Sequence, residues 1–94
     1  MSNAVLKGLG HETLTVGATS VGFASIPANA ARAFCIVDLA DIRMSVDGSD
    51  ALTTDPPIFN RSTINLMSHR FQLQDYRFIR DAGTSASLFI WYFD

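Results

Sequence analysis

The chain has 94 residues, of which 48% are hydrophobic and 17% charged, and it carries a net charge of −2. That length makes one domain with a small core, and the mild acidity argues against nucleic acid or anionic membranes as partners. Cys35 is the single cysteine, which excludes an internal disulfide and with it the stapled secreted mini-domain. No apolar stretch of the kind found in secretion signals opens the chain. So apolar a composition in so short a chain points to an oligomer or an assembly subunit.

Residues 1–11 are small, polar and glycine-containing, and read as a flexible N-terminal arm before a β-sandwich domain over 12–94. Thr13-Leu14-Thr15-Val16 alternates and predicts a first strand, closed by a turn over 17–20. Val21 and Phe23 predict a short second strand, broken by Pro27. Ala33–Leu39 predicts a third, apolar on both faces over its first half. Asp41–Asp47 alternates, with Ile42, Met44 and Val46 expected inward and Arg43, Ser45 and Asp47 outward; Asp47-Gly48 then marks a turn.

Residues 48–57, with two prolines, predict the longest loop. Ile64 and Leu66, with Phe59 as a candidate third member, mark a fifth strand. Phe71 and Leu73 fit either a strand or one helical turn. Tyr76–Arg80 predicts a sixth strand, Asp81–Thr84 a tight turn, and Ser85–Phe93 the last strand. No stretch keeps a 3.6-residue period long enough for a long helix. The expected fold is all-β: a small antiparallel sandwich or barrel of about seven strands.

The last strand is the most informative. From Leu88 to Phe93 every residue is apolar or aromatic, in a run far short of the roughly 20 residues of a membrane-spanning helix. Side chains alternate across a strand, so Phe89, Trp91 and Phe93 face one way and Leu88, Ile90 and Tyr92 the other. The protein's own core covers one face. The other calls for a second sheet, a second copy or a larger assembly.

Little in the chain suggests chemistry. A metal site needs three or four convergent ligands, and His11, His69 and Cys35 share no ligand spacing. Cys35 sits in an apolar strand without the positive charge or base that makes a nucleophilic thiolate. Asp47, Asp50 and Asp55 lack the spacing of a calcium loop. Neither a phosphate-binding glycine loop nor a Gly-x-Ser-x-Gly elbow occurs. The chain therefore reads as non-enzymatic, with no cofactor and no metal. Trp91 and Tyr92 are also a candidate sugar-stacking platform, set against a core or interface role.

Two passages carry a resemblance. One is Arg32-Ala-Phe-Cys-Ile-Val-Asp-Leu-Ala-Asp-Ile-Arg-Met-Ser-Val-Asp-Gly48, entered through Ile26-Pro27-Ala28. The other is Phe71-Gln-Leu-Gln-Asp-Tyr-Arg-Phe-Ile-Arg-Asp-Ala-Gly-Thr-Ser-Ala-Ser-Leu88. Together they resemble small β-sandwich virion proteins of tailed bacteriophages, the capsid decoration (cement) or accessory head proteins, over residues 26–48 and 59–93. Members of that group often read Ile-Arg-Tyr-Arg where this chain has Ile42-Arg43-Met44-Ser45. The resemblance implies a capsid decoration protein on the virion surface, made in the host cytoplasm. Its partners would be the major capsid protein and copies of itself, a trimer being one arrangement. A tail, connector or fibre-base protein and a carbohydrate-binding module are the alternatives. The contacts expected on this reading are Val5, Leu6 and Lys7 of the arm and Phe89, Trp91 and Phe93 of the last strand. Deleting residues 1–10 is expected to spare the fold but weaken capsid binding.

Overall fold

The computed structural model describes residues 7–67 and 70–94. Among these lie eight strands and one helical turn: β1 (Gly8–Val16), β2 (Val21–Gly22), β3 (Arg32–Asp38), β4 (Ile42–Ser45), β5 (Pro57–Ile58), β6 (Thr63–Leu66), α1 (Arg70–Leu73), β7 (Arg77–Arg80) and β8 (Ala86–Phe93). They form two four-stranded sheets, ordered β1-β8-β3-β6 and β2-β7-β4-β5, in which every pairing is antiparallel. The fold is an all-β sandwich.

Period-two alternation builds the core. Ala33, Cys35 and Val37 of β3 point inward with Leu88, Ile90 and Tyr92 of β8, and all six are buried. From the opposite sheet Ile42 and Phe78 meet them, and Leu73 of α1 closes one side. Phe23, just after β2, bridges the sheets. Its ring centroid lies 5.4 Å from that of Phe78 and 5.8 Å from that of Tyr92. Such aromatic contacts add about 0.5–1.5 kcal/mol each to the area they bury.

Phe23, expected in the second strand, stands after β2 instead, and the structure departs from the sequence reading in four further places. First, β1 begins at Gly8, so residues 8–11 of the expected arm are strand, and residues 1–6 lie outside the described residues. Among residues 8–11 Leu9 alone is apolar, too little for an alternating signal, and β8 supplies the pairing: Gly8 lies across from Phe93 and His11 from Trp91. The pairing continues outward, with Lys7 N donating to Asp94 Oδ1 at 3.0 Å and Asp94 N to Lys7 O at 3.1 Å. A register shift between Gly8 and Gly10 marks a bulge, and Gly10 has φ +155°, a conformation that favours glycine. Removing residues 1–10 would therefore take paired strand with it.

Second, β4 ends at Ser45, so Val46, expected inward, is 59% exposed, while Ser45, expected outward, is buried. Burial suits Ser45 because its hydroxyl donates to the Ser49 carbonyl at 2.6 Å. Third, the third strand stops at Asp38. Leu39 turns the chain with φ 77° and stands 64% exposed. Fourth, the loop over 48–57 runs into β5, where Ile58 pairs with Ile42. Phe59 is thereby left outside β6 and exposed. The segment around Leu73 resolves as a helical turn.

Candidate functional site: the outer face of the β1-β8-β3-β6 sheet

The residues of β8 that turn away from the core are Ser87, Phe89, Trp91 and Phe93. On β3 the corresponding residues are Arg32, Phe34, Ile36 and Asp38, each half-buried where its neighbours in the strand are buried. Register brings these two sets together. Phe34 lies across from Trp91, Ile36 from Phe89, and Arg32 from Phe93. The Phe34 and Trp91 rings sit 6.2 Å apart at an interplanar angle of 40°. Five large apolar side chains thus occupy the middle of one sheet face, and Trp91 remains 40% exposed.

The outer strands frame this centre with small polar groups. His11, Thr13 and Thr15 of β1 are exposed, while Glu12, Leu14 and Val16 alternate to the inside. Thr63 and Asn65 of β6 lie across from Ile36 and Phe34. An apolar centre within a polar rim is the anatomy of a protein interface. Contiguous exposed apolar patches on small proteins mark interaction surfaces.

Phe34 and Ile36 were not singled out from the sequence as contact residues. The signal was present, since the third strand reads as apolar on both faces. What was missing was the neighbour relation between β3 and β8. Of the contacts expected from sequence, Phe89, Trp91 and Phe93 lie together on this face. Lys7 is exposed at the end of β1. Val5 and Leu6 lie outside the described residues.

The sugar-stacking pair divides. Tyr92 is buried on the inner side, and only Trp91 reaches the surface. The Tyr92 hydroxyl donates to Glu12 Oε2, and the same carboxylate accepts from Ala24 N at 3.2 Å and Ser25 N at 2.9 Å. Glu12 thereby ties the segment after β2 to the sheet. Burial first, then this hydrogen bond and the Glu12 charge, push the Tyr92 hydroxyl above its ordinary range. Cys35 lies buried in the core, where desolvation, helped by the Glu12 charge, raises its thiol to about 12. A thiol so held is a packing group rather than a nucleophile.

His11 stands on the outer face, and His69 lies outside the described residues. Among the described residues no three His, Cys, Asp or Glu side chains converge on a metal position. Asp47 and Asp55, two of the three acids of the 47–55 loop, serve its turns. Asp47 Oδ1 accepts from Ser49 N at 3.1 Å and from the Ser49 hydroxyl, and Ser49 holds the Asp47 carboxyl below its usual range. Asp55 Oδ2 accepts from Leu52 N at 2.7 Å. They border a shallow groove of about 240 Å³ whose walls include Met44, Val46 and Ile58.

Comparison with known proteins finds no matching family model, no matching curated protein and no matching solved structure. No helix among the described residues is long and apolar enough to cross a membrane.

Proposed function

We propose that this protein is a non-enzymatic structural subunit of a bacteriophage virion, a decoration protein that binds and stabilises the major capsid shell. The observation that carries the reading is the apolar, mostly aromatic centre of the outer sheet face, Phe34, Ile36, Phe89, Trp91 and Phe93, which the described residues leave half-buried or, at Trp91, exposed. A subunit that must hold to repeated sites on a shell needs a rigid platform with such a face, and a sandwich supplies one. The resemblance of residues 26–48 and 59–93 to phage head proteins supports the same assignment.

The test is to count copies of this chain against the major shell protein in purified particles, by quantitative mass spectrometry. Decoration requires copy numbers comparable with the shell protein. A small fraction of that number would move the subunit to the tail, connector or fibre base. Co-sedimentation with shells lacking the protein then locates the surface: Trp91→Ser and Phe89→Ser should abolish binding. Full binding by both would overturn the role of this face.

Exposure of Trp91 across from His11 favours one second reading, a carbohydrate-binding module with a single stacking ring. Quenching of Trp91 fluorescence by soluble oligosaccharides, without particle binding, would select it.

A further inference from the structure

Register places Glu12, Ile90, Cys35 and Ile64 on one line across the four strands. The outward residues lie symmetrically about that line. Phe34 and Ile36 flank it on β3, and Trp91 and Phe89 flank it on β8. Three residues from it, at opposite ends of β3, stand Arg32 and Asp38, of opposite charge. Among the described residues neither forms an ion pair, and the Arg32 Nε is buried without a hydrogen-bond partner.

We propose that this face binds a second copy of the chain, about a two-fold axis running along that line, so that Arg32 of each copy meets the partner's Asp38. The inference rests on the reading of this face as the docking surface: in the free protein a second copy covers it, and the shell displaces that copy on binding. Rotation about the line lays Phe34 over the partner's Ile36 and Trp91 over the partner's Phe89, larger rings against smaller side chains. It also gives both ends of the interface an opposite-charge pair. A two-fold axis along the strands would instead bring Arg32 beside the partner's Arg32, and like charges brought together oppose association. Packed sheets cross at about 30°, which about 10 Å from the axis displaces a residue by about one strand spacing, within the reach of an arginine side chain.

Area fits a reversible dimer. Four strands about 4.8 Å apart and about 20 Å long present a face of about 400 Å². Even with side-chain relief added, this lies below the roughly 800 Å² per partner of a standard interface, in the range of weak and transient contacts. A face of this size suits a weak dimer that forms and dissociates with concentration.

Sedimentation equilibrium of the full chain over a concentration series tests the arrangement. The wild type should move from 10.3 kDa toward twice that mass. Asp38→Arg and Arg32→Asp, each alone, should weaken the dimer about tenfold or more, and the two together should restore it to within about threefold. Trp91, the single tryptophan, should shift to the blue as the dimer forms. A monomer at every concentration, a trimer, or a dimer indifferent to the single charge changes would overturn the proposal. Shell binding is scored separately by co-sedimentation. Loss of the charge dependence with shell binding intact removes the two-fold arrangement alone. A charge-dependent dimer that ignores shells removes the decoration reading alone.

Discussion

Tyr92 on β8 and Glu12 on β1 are joined hydroxyl to carboxylate on the inner side of the sandwich. The other bonds of Glu12, from Ala24 N and Ser25 N, make it the only side chain among the described residues shown hydrogen-bonded to the segment after β2. Hydrogen bonds to a charged group contribute about 1.5–3 kcal/mol. Glu12→Ala should therefore destabilise the fold by about 2–3 kcal/mol, and Glu12→Gln, which keeps an acceptor oxygen, by about 1 kcal/mol. Urea unfolding of the two variants measures both. Equal stability of all three proteins would show that the segment is held by packing alone.

The same neighbourhood predicts weakness in alkali. Cys35 is raised from 9.0 to about 12, and Tyr92 is raised from 10.0. Both groups are neutral when protonated, and the unfolded chain releases these protons at lower pH than the folded one. Stability is thus whole below pH 9 and falls as pH rises from 9 to about 12, by up to about 1.4 kcal/mol per pH unit for each group. Tyr92 joins above pH 10. Chemical unfolding at about pH 8 and about pH 11 should show the drop, and Cys35→Ala should flatten the part that begins at pH 9. A wild-type profile that stays level to pH 11 would contradict the burial of both groups.

Alternation along β8 made much of the fold legible. Six consecutive apolar residues specify a strand, and period two assigns Leu88, Ile90 and Tyr92 against Phe89, Trp91 and Phe93 without any other information. The limits are equally physical. Ser45 is buried because the Ser49 carbonyl accepts its hydroxyl, a bond that the alternation of Ile42, Met44 and Val46 does not encode. Gly8–His11 are strand because β8 pairs with them, although Gly-Leu-Gly has little strand propensity of its own. Phe34 and Ile36 join the candidate site only through the adjacency of β3 and β8, a relation between segments about fifty residues apart in sequence.

Neighbouring residues of β8 should respond in opposite ways to truncation. Leu88 is fully buried, and Leu88→Ala removes core contacts at a cost of about 2–5 kcal/mol. Phe89 lies on the outer face, so Phe89→Ala should cost about 1 kcal/mol while weakening association with shells or with a second copy. Unfolding and binding measured on the same two variants separate the roles. A Phe89→Ala protein as unstable as Leu88→Ala would place the outer face inside the core.

Leu39 occupies the turn from β3 to β4 at φ 77° with its side chain in solvent. A left-handed conformation costs a residue with a Cβ roughly 1–2 kcal/mol, whereas glycine adopts it freely and loses about 0.5–1 kcal/mol of chain entropy on folding. Leu39→Gly should thus raise stability by about 0.5 kcal/mol. Because Leu39 lies outside β3 and the core, that gain should leave particle binding unchanged. If the variant gains stability but loses binding, the exposed Leu39 side chain is itself a contact and the docking surface extends past the end of β3. If it loses stability, the turn depends on leucine packing, and the strain argument for this residue fails.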